Sequence, residues 1–306
     1  MKRKIIRQGG GGGGTIYLPK KWIDHKNLHP GDEIDITEVD DCLLLSAETK
    51  TTKKETTLKI HYNGETFIRT NLSDLYRLGY DKVKIIYENK DQADYVESAV
   101  ENFLLGVEVT EKGKNYLILE NVAEPSGEKQ ETLVRRMFLL IKESFELVHN
   151  DLISGKFSNL QQLKQLTYKV GQYNNFCRRN ISKKKFTEEK IPFHWNMYVY
   201  LLLIQGNLLH LYQFLDKQKK LKMSKKNILI FNNLETEFNN LYHGFFKKDL
   251  NALEEVNDQA RSLLYKDTYK QLEKVTGKES ITIYYFGEMA RLIYLITSPM
   301  LGILLE

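Results

Sequence analysis

Apolar and polar positions follow three successive rhythms along the chain. Up to residue 48 the runs are short. Lys4-Ile5-Ile6-Arg7 alternates weakly, while Thr15-Ile16-Tyr17-Leu18 and Glu33-Ile34-Asp35-Ile36-Thr37 alternate well, the period of half-buried strands. Pro19 stands where a helix opens, with Trp22, Ile23 and Leu28 on its apolar side. His29-Pro30-Gly31-Asp32 reads as a turn, and Asp40-Asp41 turns the chain into Cys42-Leu43-Leu44-Leu45. A unit with so few large apolar groups does not bury a core of its own, so dimerisation is expected to complete it.

A polar, Thr- and Lys-rich linker over 49–57 leads into a second unit, 58–122. Leu58, Ile60 and Tyr62 alternate as a strand, then Ile68, Leu72 and Leu75 recur at helical spacing. Val83, Ile85 and Tyr87 give a second strand, and Val96, Val100 and Phe103-Leu104 a second helix. Val107–Val109 and Tyr116–Leu119 close the unit as a hairpin around Lys112-Gly113-Lys114. The order βαβαββ predicts a small α/β sandwich.

Glu124-Pro125-Ser126-Gly127 marks the next linker, and residues 128–306 are helical in pattern. They repeat. Met137, Ile141, Phe145 and Val148 superpose on Ile230, Leu234, Phe238 and Leu241 at an offset of 93. The same offset of 93 sets Leu160, Leu163, Leu166 and Val170 on Leu253, Val256, Gln259 and Leu263, and Gly206-Asn207 matches Gly287-Glu288 at an offset of 81. A longer basic loop, Arg178–Lys190, accounts for the difference. The expected fold class is multidomain α+β, ending in an all-α bundle of two three-helix repeats.

With a hydrophobic share of 42% and a charged share of 28%, the composition is that of a globular protein. The net charge of +5 is modest, but its placement is not: Lys2, Arg3, Lys4, Arg7, Lys20, Lys21 and Lys26 face only Asp24 before residue 30, and acids follow. Cys42 and Cys177 form no CxxC or Cys/His spacing, which excludes a disulfide scaffold or zinc ribbon and fits a reducing cytoplasm. The basic, glycine-rich start predicts no secretory signal. The most apolar stretch, Leu292–Leu305, spans about 14 residues and contains Pro299, short of the roughly 20 that cross a bilayer. It is expected to be a buried terminal helix, with no membrane span.

Several features invite a chemical reading. The run Gly9–Gly14 satisfies GxGxxG trivially, but a strand pattern follows it instead of a helix, and no Gly-Lys-Ser/Thr comes after. It reads as a loop between strands. Arg3, Lys4 and Arg7 on one strand and Lys20 and Lys21 at a helix start either form a solvated charged face or converge on phosphates once two copies pair. Glu254 and Asp258 share one helix face at i and i+4, a candidate metal pair or a solvated face; the first repeat carries the amides Gln161 and Gln165 there. The seven histidines make no HExxH, and no nucleophile motif stands out, so no enzyme activity is expected and no cofactor is required.

Arg3-Lys-Ile-Ile-Arg-Gln, Gly14-Thr-Ile-Tyr-Leu-Pro-Lys-Lys-Trp-Ile and His29-Pro-Gly-Asp-Glu-Ile-Asp-Ile resemble the swapped-hairpin AbrB/SpoVT/MazE DNA-binding domain, over residues 1–48. The resemblance implies an intertwined homodimer that grips double-stranded DNA through Lys2, Arg3, Lys4, Arg7, Lys20 and Lys21; the long glycine loop departs from the family's shorter turn. Arg135-Arg-Met-Phe, Asp249-Leu-Asn-Ala-Leu-Glu-Glu-Val-Asn-Asp and Tyr285-Phe-Gly-Glu-Met-Ala-Arg resemble PhoU, the phosphate-uptake regulator built as a duplicated three-helix bundle. Together with the βαβαββ insert, this order is similar to archaeal PhoU-like regulators. PhoU-type domains hold metal clusters through E/DxxxD motifs on equivalent helices. Glu254–Asp258 fits that pattern and Gln161–Gln165 does not, so a divalent or iron-type metal is confined to one half or lost.

The expectation is a cytoplasmic DNA-binding transcriptional or signalling regulator linked to phosphate uptake, with the helical domain sensing a partner or ligand. The alternative is a PhoU-like adaptor that docks on a membrane transporter or kinase without binding DNA, using the basic loops Arg178–Lys190 and Lys217–Lys226 toward an acidic partner or anionic headgroups.

Overall fold

The structure, a computed structural model, describes residues 3–7, 14–39, 42–47, 53–123, 130–183, 189–218 and 223–305. Lys2, the glycines 9–13, the Asp40-Asp41 turn, residues 49–52 of the first linker, the whole second linker, and residues 184–188 and 219–222 of the two basic loops lie outside the described residues. The chain divides into two compact units, Met1–Lys53 and Lys54–Glu306.

In the first unit β1 (Ile6–Arg7) pairs antiparallel with β2 (Gly14–Thr15). The strand expected over Thr15–Leu18 is shorter than its alternation suggests, because Ile16–Leu18 have no ladder partner among the described residues. Helix α1 (Lys20–Lys26) opens after Pro19 at φ −61° and stops at Asn27, left-handed at φ 49°, a conformation asparagine tolerates better than most residues. Pro30 and Gly31 then occupy the two central positions of a turn whose ends bond through Asp32 N–H to the His29 carbonyl at 3.0 Å. Gly31 sits at φ +101°, which a type II turn demands of its third residue. β3 (Asp35–Val39) and β4 (Cys42–Ser46) form an antiparallel hairpin with Asp35 opposite Ser46. Ala47, just after β4, is buried.

The second unit begins with the expected βαβαββ order: β5 (Glu55–Lys59), α2 (Glu65–Arg77), β6 (Lys82–Ile86), α3 (Lys90–Phe103), β7 (Val107–Lys112) and β8 (Tyr116–Asn121). The strands form one mixed sheet in the order β5-β6-β8-β7, with β5 and β6 parallel across the α2 crossover and the rest antiparallel. Alternation buries Val83, Ile85, Leu117 and Leu119 on the same face. A capping box starts α3, where Asn89 accepts from the Gln92 N–H and the Gln92 side chain accepts from the Asn89 N–H.

The helices α4 (Gln130–Ser154), α5 (Leu160–Lys183), α6 (Ile191–Asp216) and α7 (Lys225–Lys247) follow. Then α8 (Leu250–Ser262) runs through a π-helical turn, Leu263–Thr268, into α9 (Tyr269–Leu272), and α10 (Lys278–Leu304) ends the unit. α4 packs on α7, and α6 on α10. Met137, Ile141, Phe145 and Val148, with Ile230, Leu234, Phe238 and Leu241 of the other repeat, are all buried. The Phe145 and Phe238 rings stack at 5.2 Å between α4 and α7, within the preferred range for aromatic pairs. Gln259, the polar member of its set, is exposed where Leu166 is buried. Leu292, Ile293, Ile296 and Met300 are buried in α10, as expected for the terminal helix. Among the described residues no helix is long and apolar enough to cross a membrane. The chain is α+β and mostly helical.

One expectation about charge is overturned here. Arg178, Arg179 and Lys183 were assigned to a basic loop, but they lie within α5, and both arginines are buried. α5 packs across α2 and α3, and Arg179 closes the C-terminal end of α2. Its guanidinium donates to the Tyr76 carbonyl at 3.0 Å, to the Tyr80 carbonyl at 2.7 Å and to Asp81 Oδ1 at 2.5 Å. The last turn of a helix leaves carbonyls without intrahelical donors and carries partial negative charge, so a buried cation there is doubly matched. Lys183 Nζ reaches the same Asp81 oxygen at 2.7 Å. Gln172 and Asn175 extend the seam by donating to the Glu101 and Phe103 carbonyls at the end of α3.

Candidate nucleic-acid interface

The basic residues of the first unit are set by two local features. Arg3 and Lys4 lead into β1, and their side chains are exposed. Pro19, unable to donate a hydrogen bond, fixes the entry to α1 and places Lys20 and Lys21 in its first turn, both exposed. Arg7 lies opposite Gly14 in the β1–β2 ladder. The ladder joins the segment bearing Arg3, Lys4 and Arg7 to the one leading into Lys20 and Lys21. The hydrophobic side chains of these same segments are also uncovered: Ile5 is 77% exposed, Tyr17 70%, Leu43 63% and Ile36 60%. Strands with β-branched and aromatic residues normally cover one face, and here Ile5, Tyr17, Ile36 and Leu43 stand uncovered.

The metal candidates are less concentrated. Glu254 and Asp258 are exposed on α8 and border a shallow hollow of about 450 Å³ with Asn251 and Asn257. Asn257 is engaged elsewhere, donating to Thr297 Oγ1 at 2.8 Å. Gln161 and Gln165 are exposed on α5. A hard cation is held by six or more oxygens, and among the described residues no group of three or more His, Cys, Asp or Glu side chains comes together. Of the remaining reactive groups, Cys177 is buried in α5, and burial pushes its thiol up to about 12, away from the thiolate that a nucleophile needs. His149 Nδ1 meets Glu235 Oε2 at 2.5 Å, which ties α4 to α7.

Comparison with family models, curated proteins and solved structures finds no match. Sequence reasoning missed the Arg179–Asp81 anchor, because a cluster of basic residues at the end of a helical pattern carries no signal of burial.

Proposed function

We propose that the chain is a dimeric DNA-binding regulator whose first unit grips duplex DNA and whose helical region responds to a partner or ligand, in a phosphate-uptake setting suggested by the PhoU resemblance. The uncovered apolar strand residues of the first unit carry the reading, since Ile5, Ile6, Ile16, Tyr17, Ile36 and Leu43 all stand exposed in one short segment. In the swapped-hairpin arrangement that the sequence resembles, a second copy pairs with these strands and buries them. The exposed Arg3, Lys4, Lys20 and Lys21 are then repeated across the two-fold axis, as phosphate contacts on a duplex require. Regulation follows from linkage, because an effector that binds the DNA-competent state better must raise DNA affinity by the same factor. The docking alternative loses part of its basic surface, since Arg178 and Arg179 are buried and Lys183 is paired with Asp81.

The test is the fluorescence anisotropy of a labelled duplex with the full chain and with a variant carrying Arg3→Ala, Lys4→Ala, Lys20→Ala and Lys21→Ala. The variant is expected to lose roughly 100-fold or more in affinity at low salt, and the dependence of log K on log salt should flatten by about 0.9 per phosphate contact removed. Unchanged affinity in the variant would refute the assignment.

A further inference from the structure

A cavity of about 620 Å³ opens at the end of the helical region where α4 and α6 begin and α5, α7 and α10 end. Its floor is apolar and buried, made by Val134, Ile181, Met197 and Phe245. Its size falls in the range that encloses a small organic ligand. The rim differs from the floor. Lys190 and Lys248 both line it, and neither side chain has an ion-pair or hydrogen-bond partner among the described residues. The rim's carboxylate, Glu131, already faces Arg135 at 3.4 Å, so the opening keeps an excess of positive charge.

Three further details point to an anion at this rim. Lys190 caps α6 without a side-chain hydrogen bond and the first turn of α6 holds no acid, so the positive end of a 26-residue helix borders the same space. Lys248 holds a left-handed conformation at φ 56° at the end of α7, where glycine or asparagine is the unstrained choice. Gln130 donates to the Tyr198 hydroxyl at 2.9 Å, while its Oε1 is buried without a donor. Turning that amide by half a rotation lets Oε1 accept from Tyr198 and offers Nε2 to a ligand in the cavity.

We infer that the cavity binds an amphipathic organic anion, a small carboxylate with an apolar chain or ring: the body lies on Val134, Met197 and Phe245, and the headgroup meets Lys190, Lys248 and the start of α6. The site deepens the sensing role proposed above. Only its influence on DNA affinity rests on that reading, and binding itself does not.

The test uses the full chain, 1-anilinonaphthalene-8-sulfonate as a fluorescent probe, and decanoate or decanol as competitor. Decanoate is expected to displace one probe per chain and to compete more strongly than decanol, which has the same body without the charge. Lys190→Ala with Lys248→Ala should weaken decanoate roughly tenfold, the scale of a charged hydrogen bond lost, and leave decanol unchanged. Ile303→Trp, on the cavity wall, should weaken both, with an unchanged circular dichroism melt showing that the fold persists. Equal competition by decanoate and decanol, or a double variant that binds decanoate as the parent does, would overturn the anion assignment. Absence of stoichiometric probe binding would overturn the site. DNA anisotropy plays no part in this readout, so a failure of DNA binding and a failure of the cavity are told apart.

Discussion

Arg179→Ala is expected to lower the stability of the unit Lys54–Glu306 by about 3–5 kcal/mol, the cost of removing one partner from a buried, hydrogen-bonded charge pair. The side chain is 1% exposed and satisfies two backbone carbonyls and a carboxylate together. Truncation takes this donor from the Tyr80 carbonyl and one of the donors from Asp81 and from the Tyr76 carbonyl, which keep Lys183 and the Gly79 N–H, and the void is lined by Tyr76, whose ring lies 4.9 Å from the guanidinium. For a unit of this size the loss corresponds to a fall of roughly 6–15 °C in Tm, read by calorimetry or by a thermal melt followed by circular dichroism. Arg179→Lys should recover only part of it, because an ammonium cannot reproduce the planar fork that reaches Tyr76, Tyr80 and Asp81 at once. An alanine variant that melts with the parent would remove this seam from the explanation of the fold.

The same seam gives the stability its acid dependence. Burial pushes the Asp81 carboxyl up. The hydrogen bonds from Lys183 and from the Lys54 N–H, with the charges of Lys183 and Arg179, outweigh burial and hold it below the ordinary carboxylate value. A depressed folded-state value means that the contribution is present above the unfolded pKa of about 3.9 and is lost as pH falls through the folded one. The stability difference between the parent and Asp81→Asn should therefore be flat near neutrality and shrink once pH drops below about 4.

The second large effect concerns assembly. Sedimentation of the full chain is expected at twice the 35.9 kDa of one copy, and a chain beginning at Lys54 is expected to sediment as a monomer. Full burial of a Leu, Ile or similar side chain is worth roughly 1.5–3 kcal/mol, so the exposed Ile5, Ile6, Ile16, Tyr17, Ile36 and Leu43 supply more than enough for a tight dimer when a second copy covers them. Ile36→Lys with Leu43→Lys should dissociate the dimer without altering the melt of the unit Lys54–Glu306. A full chain that sediments as a monomer at micromolar concentration would contradict the intertwined arrangement.

Much of the fold was legible in the sequence, for local reasons. Val83, Ile85, Leu117 and Leu119 alternate because one face of their sheet is covered, and Val96 and Val100 recur at helical spacing because α3 buries that face. The helical repeat was visible because Phe145 and Phe238 occupy matching positions and stack on each other. The errors arose where distant chain segments decide. Arg179 is buried by carbonyls 99 and 103 residues earlier, a pairing that no local window contains. The strand over Thr15–Leu18 fell short because a ladder needs a partner, and among the described residues of this segment only Gly14 and Thr15 have theirs. The cavity rim was illegible for the same reason: Gln130, Lys190 and Lys248 come from three separate helix ends. Glu254 and Asp258 do share a helix face, as their spacing suggests, but spacing alone could not reveal what stands opposite them.

The most direct measurement is duplex-DNA anisotropy across a salt series, with the full chain and with a chain beginning at Lys54. A first unit that reads DNA gives binding by the full chain alone, with log K falling steeply and linearly against log salt. Equal binding by the shortened chain, or none by either at low salt, would contradict it.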